Sequence, residues 1–173
     1  QHDHTLGPLN PQYNKYQIKE SLRAAGIVYV FLGRELGARP DDADCYEAGR
    51  VYYDRIACTA YFNRGLDRVQ LGAANYRLAL MCAEKDPLDC HRTILVGRYL
   101  VERGYRIQHI LEDGTLEAHE ETMARLMRQQ GLDTEDMFRS DAELVAHAYR
   151  LRESEIAYAS STQIGAAPTG DAE

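Results

Sequence analysis

The chain lacks any apolar run near the ~20 residues that a bilayer-crossing helix needs, so no membrane partner is expected. It opens on Gln1-His2-Asp3-His4, polar rather than basic-then-apolar, and no secretory leader is read there. Cysteine is scarce: four in 173 residues, irregularly spaced, with no C-x2-C pair anywhere. That excludes a disulfide framework and points to reduced thiols in a cytoplasmic protein. Positive charge is also short, with 20 Lys and Arg against 27 Asp and Glu, a net charge of −7 and a pI near 5.4. A general affinity for nucleic-acid phosphates needs clustered cations. Nucleic acid therefore stays a partner that the net charge does not support, although eight arginines between Arg23 and Arg77 leave scope for a local basic patch. What the chain does have is 45% hydrophobic residues, enough for a core, in a length that suits one domain.

Hydrophobic spacing divides the chain. Residues 1–14 hold two prolines and a glycine and read as irregular. From Lys15, the residues Tyr16, Ile18, Leu22 and Ala25 share one helical face, with Gly26 placed to end the helix. Ile27-Val28-Tyr29-Val30-Phe31-Leu32 predicts a buried strand, and Gly33, Gly37 and Pro40 a loop. A helix over Tyr53–Leu71 is expected, broken near Thr59, followed by a second strand at Tyr76–Cys82. The next helix is expected to start near Asp86 or Asp89 and to run to Arg103, with Gly104 beyond it. A third strand over Tyr105–Leu111, a turn at Glu112–Thr115 and a helix over Glu117–Gln130 follow. After a break at Gly131–Asp136, Ser140 and Glu143 have capping-box spacing ahead of a last helix to about Tyr158. This alternation predicts an α/β fold, a Rossmann-like three-layer domain with a mostly parallel sheet flanked by helices. The expected domain spans 1–158, with a mobile tail over 159–173.

In such sheets, ligands bind beyond the carboxyl ends of the strands. Cys82 falls at one such end, and Cys90-His91-Arg92 falls in the first turns of the expected next helix. A helix amino terminus favours a thiolate or a bound anion, and neighbouring His and Arg lower a cysteine pKa. The expected catalytic set is Cys90 as nucleophile or redox thiol, His91 as its proton partner, Arg92 as the anion-holding group, and Glu84 to position or deprotonate substrate. Cys82 would resolve Cys90, support it or simply pack; Cys45 and Cys58 read as structural. The loop Gly33–Arg39 should reach the same sheet edge, adding Glu35 and Arg39 to a polar rim that would take a small-molecule ligand.

Competing readings of the run are weaker. A C-x5-R oxyanion loop does not fit, because Cys82 and Arg92 are too far apart and residues 83–89 carry three carboxylates and no glycine. Zinc on Cys82, Cys90 and His91 with His109 or His119 asks two adjacent helical residues, whose side chains diverge by about 100°, to meet at one ion. No metal is expected, and the residues name no cofactor. The alternative to an enzyme is a nucleotide-, nucleic-acid- or metal-binding module without turnover. The plainest reading is that Arg92 and the acids only tie the loop to its helix.

The run Leu80-Met81-Cys82-Ala83-Glu84-Lys85-Asp86-Pro87-Leu88-Asp89-Cys90-His91-Arg92 resembles domain-of-unknown-function family 488, with its C-A-E-x-x-P-x-x-C-H-R motif. Further matches are Asn10-Pro11-Gln12-Tyr13-Asn14, Glu35–Arg39, His109–Gly114, Met137–Ser140 and the Ala148-Tyr149 region. The resemblance implies a compact α/β domain of bacterial or archaeal type with these motifs gathered into one site. That adds Asn14 and His109 to the expected substrate-binding residues beside Cys82, Glu35 and Arg39. It implies no settled activity. Family members usually carry a helix and a strand between segments that here meet at Gly7-Pro8, so the chain reads as lacking both, or as joined across them.

Overall fold

A computed structural model describes residues 14–132 and 140–159. The irregular opening through residue 13, the Gly7-Pro8 junction, Met137-Phe138-Arg139 and the tail from residue 160 lie outside the described residues. The chain groups into two compact units, residues 1–33 and 34–173.

The first unit is built on α1, Lys15–Ala24, which begins after Asn14 and buries Ile18. Gly26 takes φ 73° just past its end, the left-handed turn that favours glycine. Beyond it the chain has no assigned helix or strand up to Leu32, and Lys15 Nζ lies 4.6 Å from the centre of the Phe31 ring.

The second unit is mostly helical. The short helix α2, Gly33–Leu36, opens at the last residue of the first unit and supplies the first residues of the second. A 3-10 turn at Ala43–Cys45 leads into an antiparallel hairpin of β1, Tyr46–Glu47, and β2, Arg50–Val51. Its two-residue corner has Ala48 at φ 47° and Gly49 at φ 77°, both in the region that a tight hairpin turn demands. Helices α3, Tyr53–Ala57, and α4, Ala60–Ala73, follow, divided where the spacing predicts. Thr59 caps α4, its hydroxyl oxygen accepting from the Phe62 amide at 3.3 Å. Gly65 lets α4 lie against α2, since a Cβ there would stand 2.7 Å from Glu35 Cβ and Leu36 Cδ2.

After a long segment without assigned helix or strand, a 3-10 turn at Pro87–Asp89 precedes a π-helical stretch at Arg92–Gly97, continued by α5, Arg98–Glu102. Strands β3, Gln108–Ile110, and β4, Leu116–Ala118, form a second antiparallel pair, with His109 opposite Glu117. Helices α6, His119–Gln129, and α7, Asp141–Ile156, complete the unit. Ser140 and Glu143 form the expected capping box on α7. The core gathers Ile56, Phe62, Leu66, Ile94, Leu95, Leu126 and Ala148. Phe62 and Tyr99 meet edge to face at 5.7 Å.

The Rossmann-like reading is overturned. Among the described residues there are two short antiparallel pairs and no parallel sheet. The two runs that carry the strongest strand signal, Ile27–Leu32 and Tyr76–Cys82, have no assigned helix or strand and join no ladder among the described residues. Val28 is 84% exposed and Tyr76 72%. β-propensity reports fitness for a packed pleated surface, and neither run has such a surface among the described residues. The third expected strand survives only as β3, and it pairs with its immediate successor rather than across a helix.

Candidate functional site

The site grows from the loop between Cys82 and Cys90. Asp86 starts a reversal: its carboxylate accepts from the Leu88 amide at 2.8 Å, and Pro87 stands at the first position of the 3-10 turn. Cys90 N donates to Pro87 O at 3.3 Å. Two arginines from distant helices hold this reversal. Arg125 of α6 donates to both Asp86 oxygens, at 3.0 and 3.1 Å, and to both Glu117 oxygens, at 3.0 and 2.9 Å. Arg152 of α7 donates to Leu88 O at 2.9 Å and to Asp89. Burial works against the Asp86 charge, but the guanidinium of Arg125 and the Leu88 amide hold its carboxyl below the ordinary range.

The reversal brings Cys90 back to Cys82, and the two sulfurs are joined in a disulfide. This differs from the reduced thiols expected of the composition: the folded loop, rather than cysteine abundance, makes the pair. Cys45, buried, and Cys58, exposed, are free. Cys90 has 0% exposure, whereas Cys82 and His91 are half-buried and Glu84 is exposed. The Arg92 amide donates to Cys90 Sγ at 3.2 Å, and Glu84 Oε2 stands 3.4 Å from the same sulfur. Single ligand-type atoms of Cys82, Glu84, Cys90 and His91 all lie within 4.8 Å of one another.

Cys90 itself is extended, with φ −117° and ψ 132°. It precedes the helix instead of lying in it, so the divergence expected of adjacent helical side chains does not arise and Cys90 and His91 converge. Arg92 donates from Nη1 to Leu80 O at 3.4 Å, using a carbonyl that a strand ladder would have claimed. Burial lowers the His91 pKa, Glu84 opposes that shift, and the charges of Arg92 and Arg39 add to it. Arg39 itself is exposed, with its guanidinium 4.4 Å from the Tyr158 ring centre.

Two expected members face elsewhere. Glu35 pairs with Arg68 of α4 at 2.7 Å. His109 is buried and turned inward, its Nε2 3.0 Å from His119 Nδ1, while His119 Nε2 lies 2.8 Å from the Tyr149 hydroxyl. The π-helical stretch packs closely here: a Cβ at Gly97 would stand 3.1 Å from Arg92 O and 3.7 Å from His119 Cε1. Burial and the neighbouring His119 push His109 down to about 4, with Arg92 adding to the effect. Asn14 lies in the first unit, ahead of α1.

Sequence reasoning missed Arg125, Arg152, Tyr53 and Glu153. Glu153 is buried, and its Oε1 accepts from the Tyr53 amide at the start of α3 at 2.7 Å. Burial raises its pKa and that amide opposes the rise. Burial raises the Tyr53 pKa, and the charges of Glu153 and Glu84 add to the rise. The signal for the buried acid was present: Glu153 follows Tyr149 by four residues, on the buried face of α7. Nothing local marks the two arginines, whose loop partners lie far away in sequence.

A family model described as "Domain of unknown function DUF488" matches residues 6–99, more than half of the 173-residue chain. The matched stretch contains Cys82, Glu84, Cys90, His91, Arg92 and Arg39, while the arginines that pin the loop follow it. No curated protein and no solved structure matches the chain.

Proposed function

The chain belongs to the domain-of-unknown-function family DUF488, and within it we propose thiol–disulfide chemistry: a small enzyme whose Cys82–Cys90 pair cycles between disulfide and dithiol. The observation that carries this reading is the joined pair itself, with a carboxylate and an imidazole within 4.8 Å of its sulfurs.

Burial divides the roles. Cys82 is half-buried and meets substrate first, while Cys90, fully buried, resolves. This exchanges the roles that the sequence suggests. In the reduced state the Cys82 thiolate, its proton passed to His91, attacks one sulfur of a substrate disulfide. A mixed disulfide forms and the first substrate thiol leaves, taking that proton. Cys90, deprotonated through Glu84, then attacks Cys82 Sγ. The second substrate thiol leaves with the second proton, and the Cys82–Cys90 bond closes. Two electrons pass from the dithiol to the substrate. The Arg92 amide bonds the Cys90 sulfur and favours its thiolate, and the helix start there acts in the same sense. Arg92 and exposed Arg39 supply positive charge at the rim, which suits a small disulfide bearing carboxylates.

The test runs in a Cys58→Ser background, which removes the exposed thiol. Reduced protein mixed with a small anionic disulfide is expected to release two thiols per chain and to end with residues 82 and 90 linked. Cys90→Ser is expected to stop at a mixed disulfide on Cys82, visible as a mass adduct, and Cys82→Ser to release none. Failure of the reduced pair to react faster than an unfolded thiol peptide overturns the reading.

A further inference from the structure

We propose that the reduced site holds a divalent metal ion of the zinc type, with Cys82, Glu84, Cys90 and His91 as its four ligands, and that closing the disulfide expels the ion. The four-ligand site shares with the thiol–disulfide reading only the requirement that Cys82 and Cys90 exist as free thiols, while the expulsion of the ion rests on that reading.

The donor set is the first argument. Two thiolates, an imidazole and a carboxylate form a borderline-soft S, N and O set, which suits zinc far better than calcium or magnesium. Geometry is the second. Zinc bonds of about 2.0–2.3 Å in a tetrahedron place ligand atoms roughly 3.2–3.8 Å apart, and the four donors here already lie within 4.8 Å of one another. The Cα atoms of Cys82 and Cys90 stand 7.4 Å apart, wider than the usual ~4.4–6.8 Å across a disulfide. That frame has room for the sulfurs to draw apart onto one ion.

The support around the donors is the third argument. A thiolate ligand is steadied by an amide donor, and the Arg92 amide already points at Cys90 Sγ at 3.2 Å. The loop carrying Cys82, Glu84 and Cys90 is fixed at Asp86 by Arg125 and at Leu88 by Arg152, so the donors are held without the ion. Glu84 is exposed and Cys82 half-buried, which gives the ion a path in from solvent. His109 and His119, the other imidazoles near this segment in sequence, are committed to each other and to Tyr149, which leaves Glu84 as the fourth donor.

A disulfide sulfur is a poor ligand compared with a thiolate. Oxidation of the pair by a substrate disulfide therefore removes both sulfur donors together, and Glu84 and His91 alone release the ion.

The test titrates the reduced full chain, free of chelator, with cobalt(II) as a spectroscopic stand-in and then with zinc(II). The expected result is one ion per chain, with the intense visible bands of a tetrahedral site, a near-ultraviolet thiolate-to-cobalt transition, and bleaching when zinc displaces cobalt. Glu84→Gln and His91→Ala are each expected to weaken binding at least about tenfold, as even outer-sphere losses do. Cys82→Ser is expected to cut the thiolate transition to half or less, and Cys82→Ser with Cys90→Ser to abolish it. His109→Ala is expected to bind as the natural chain does. Disulfide treatment of the loaded protein is expected to liberate the ion. Absence of a stoichiometric tetrahedral spectrum in the reduced natural chain overturns the inference, and this needs no variant to fold. Equal affinity in Glu84→Gln and His91→Ala overturns it as well. A dithiol that reduces disulfides but takes no metal refutes the metal site and spares the thiol reading. A metal-loaded chain inert to disulfides keeps the four-ligand site but overturns both the thiol reading and the expulsion of the ion.

Discussion

His109 and His119 pass hydrogen bonds along a buried line that ends at the Tyr149 hydroxyl. Each contact has room for one proton, so the line is filled when both rings are neutral. Burial holds both histidines low, and His109 is pushed down to about 4. An unfolded histidine titrates near 6.5. Between these values the unfolded chain binds a proton that the folded chain refuses, so stability is complete above about pH 6.5 and falls as pH drops toward 4. Denaturant titrations at pH 7 and pH 5 are expected to differ by about 1–2 kcal/mol from this group. Glu153, raised by burial, works in the opposite sense, so the comparison is made against His109→Gln, in which the slope should flatten. A slope unchanged in that variant places the acid sensitivity elsewhere. At this scale the sequence was informative about chemistry but not about orientation. His109 was visible as a residue near the site, yet nothing in its neighbours told that its ring turns inward to His119.

The loop from Cys82 to Cys90 is an element without regular structure, and its shape is imposed from outside. Arg125 and Arg152 reach it from α6 and α7, joining Asp86 and Leu88 to the helical body. Arg125→Ala is expected to cost about 1–2 kcal/mol, because it removes charge-assisted bonds that are only partly shielded from water. It should also slow closure of the Cys82–Cys90 bond after a substrate disulfide is added, although Arg125 touches neither sulfur. Quenched-time mass spectrometry of the pair checks this, and closure at the natural rate would show that the loop holds its shape unaided. The helix ends were legible because single residues dictate them: Gly26 at φ 73° and Gly104 at φ 86°, Thr59 capping α4, and Ser140 with Glu143 on α7. The strands were not legible, since a strand is defined by a partner. Ile27–Leu32 and Tyr76–Cys82 have the right side chains and no ladder among the described residues.

For the whole molecule, stability should follow the helical core and not the apolar runs. Leu95→Ala, at a fully buried position, is expected to cost about 2–5 kcal/mol through the cavity it leaves. Val28→Lys, at a residue 84% exposed, should change stability by less than about 0.5 kcal/mol. A large loss at Val28 would restore the buried strand that the sequence suggested. Four of the candidate residues, Cys82, Glu84, Cys90 and His91, stay close together despite this change of fold, because they lie in one short run that a single loop can gather. Glu35, from another loop, faces Arg68 instead. The central claim, that this run closes on itself through its two sulfurs, is tested most directly by mapping the cysteines of the folded chain after mild oxidation, with free thiols blocked before digestion. The expected product is a cross-linked peptide joining Cys82 to Cys90, with Cys45 and Cys58 both carrying the block. Cys82 and Cys90 found blocked after oxidation, or linked to other partners, would contradict it.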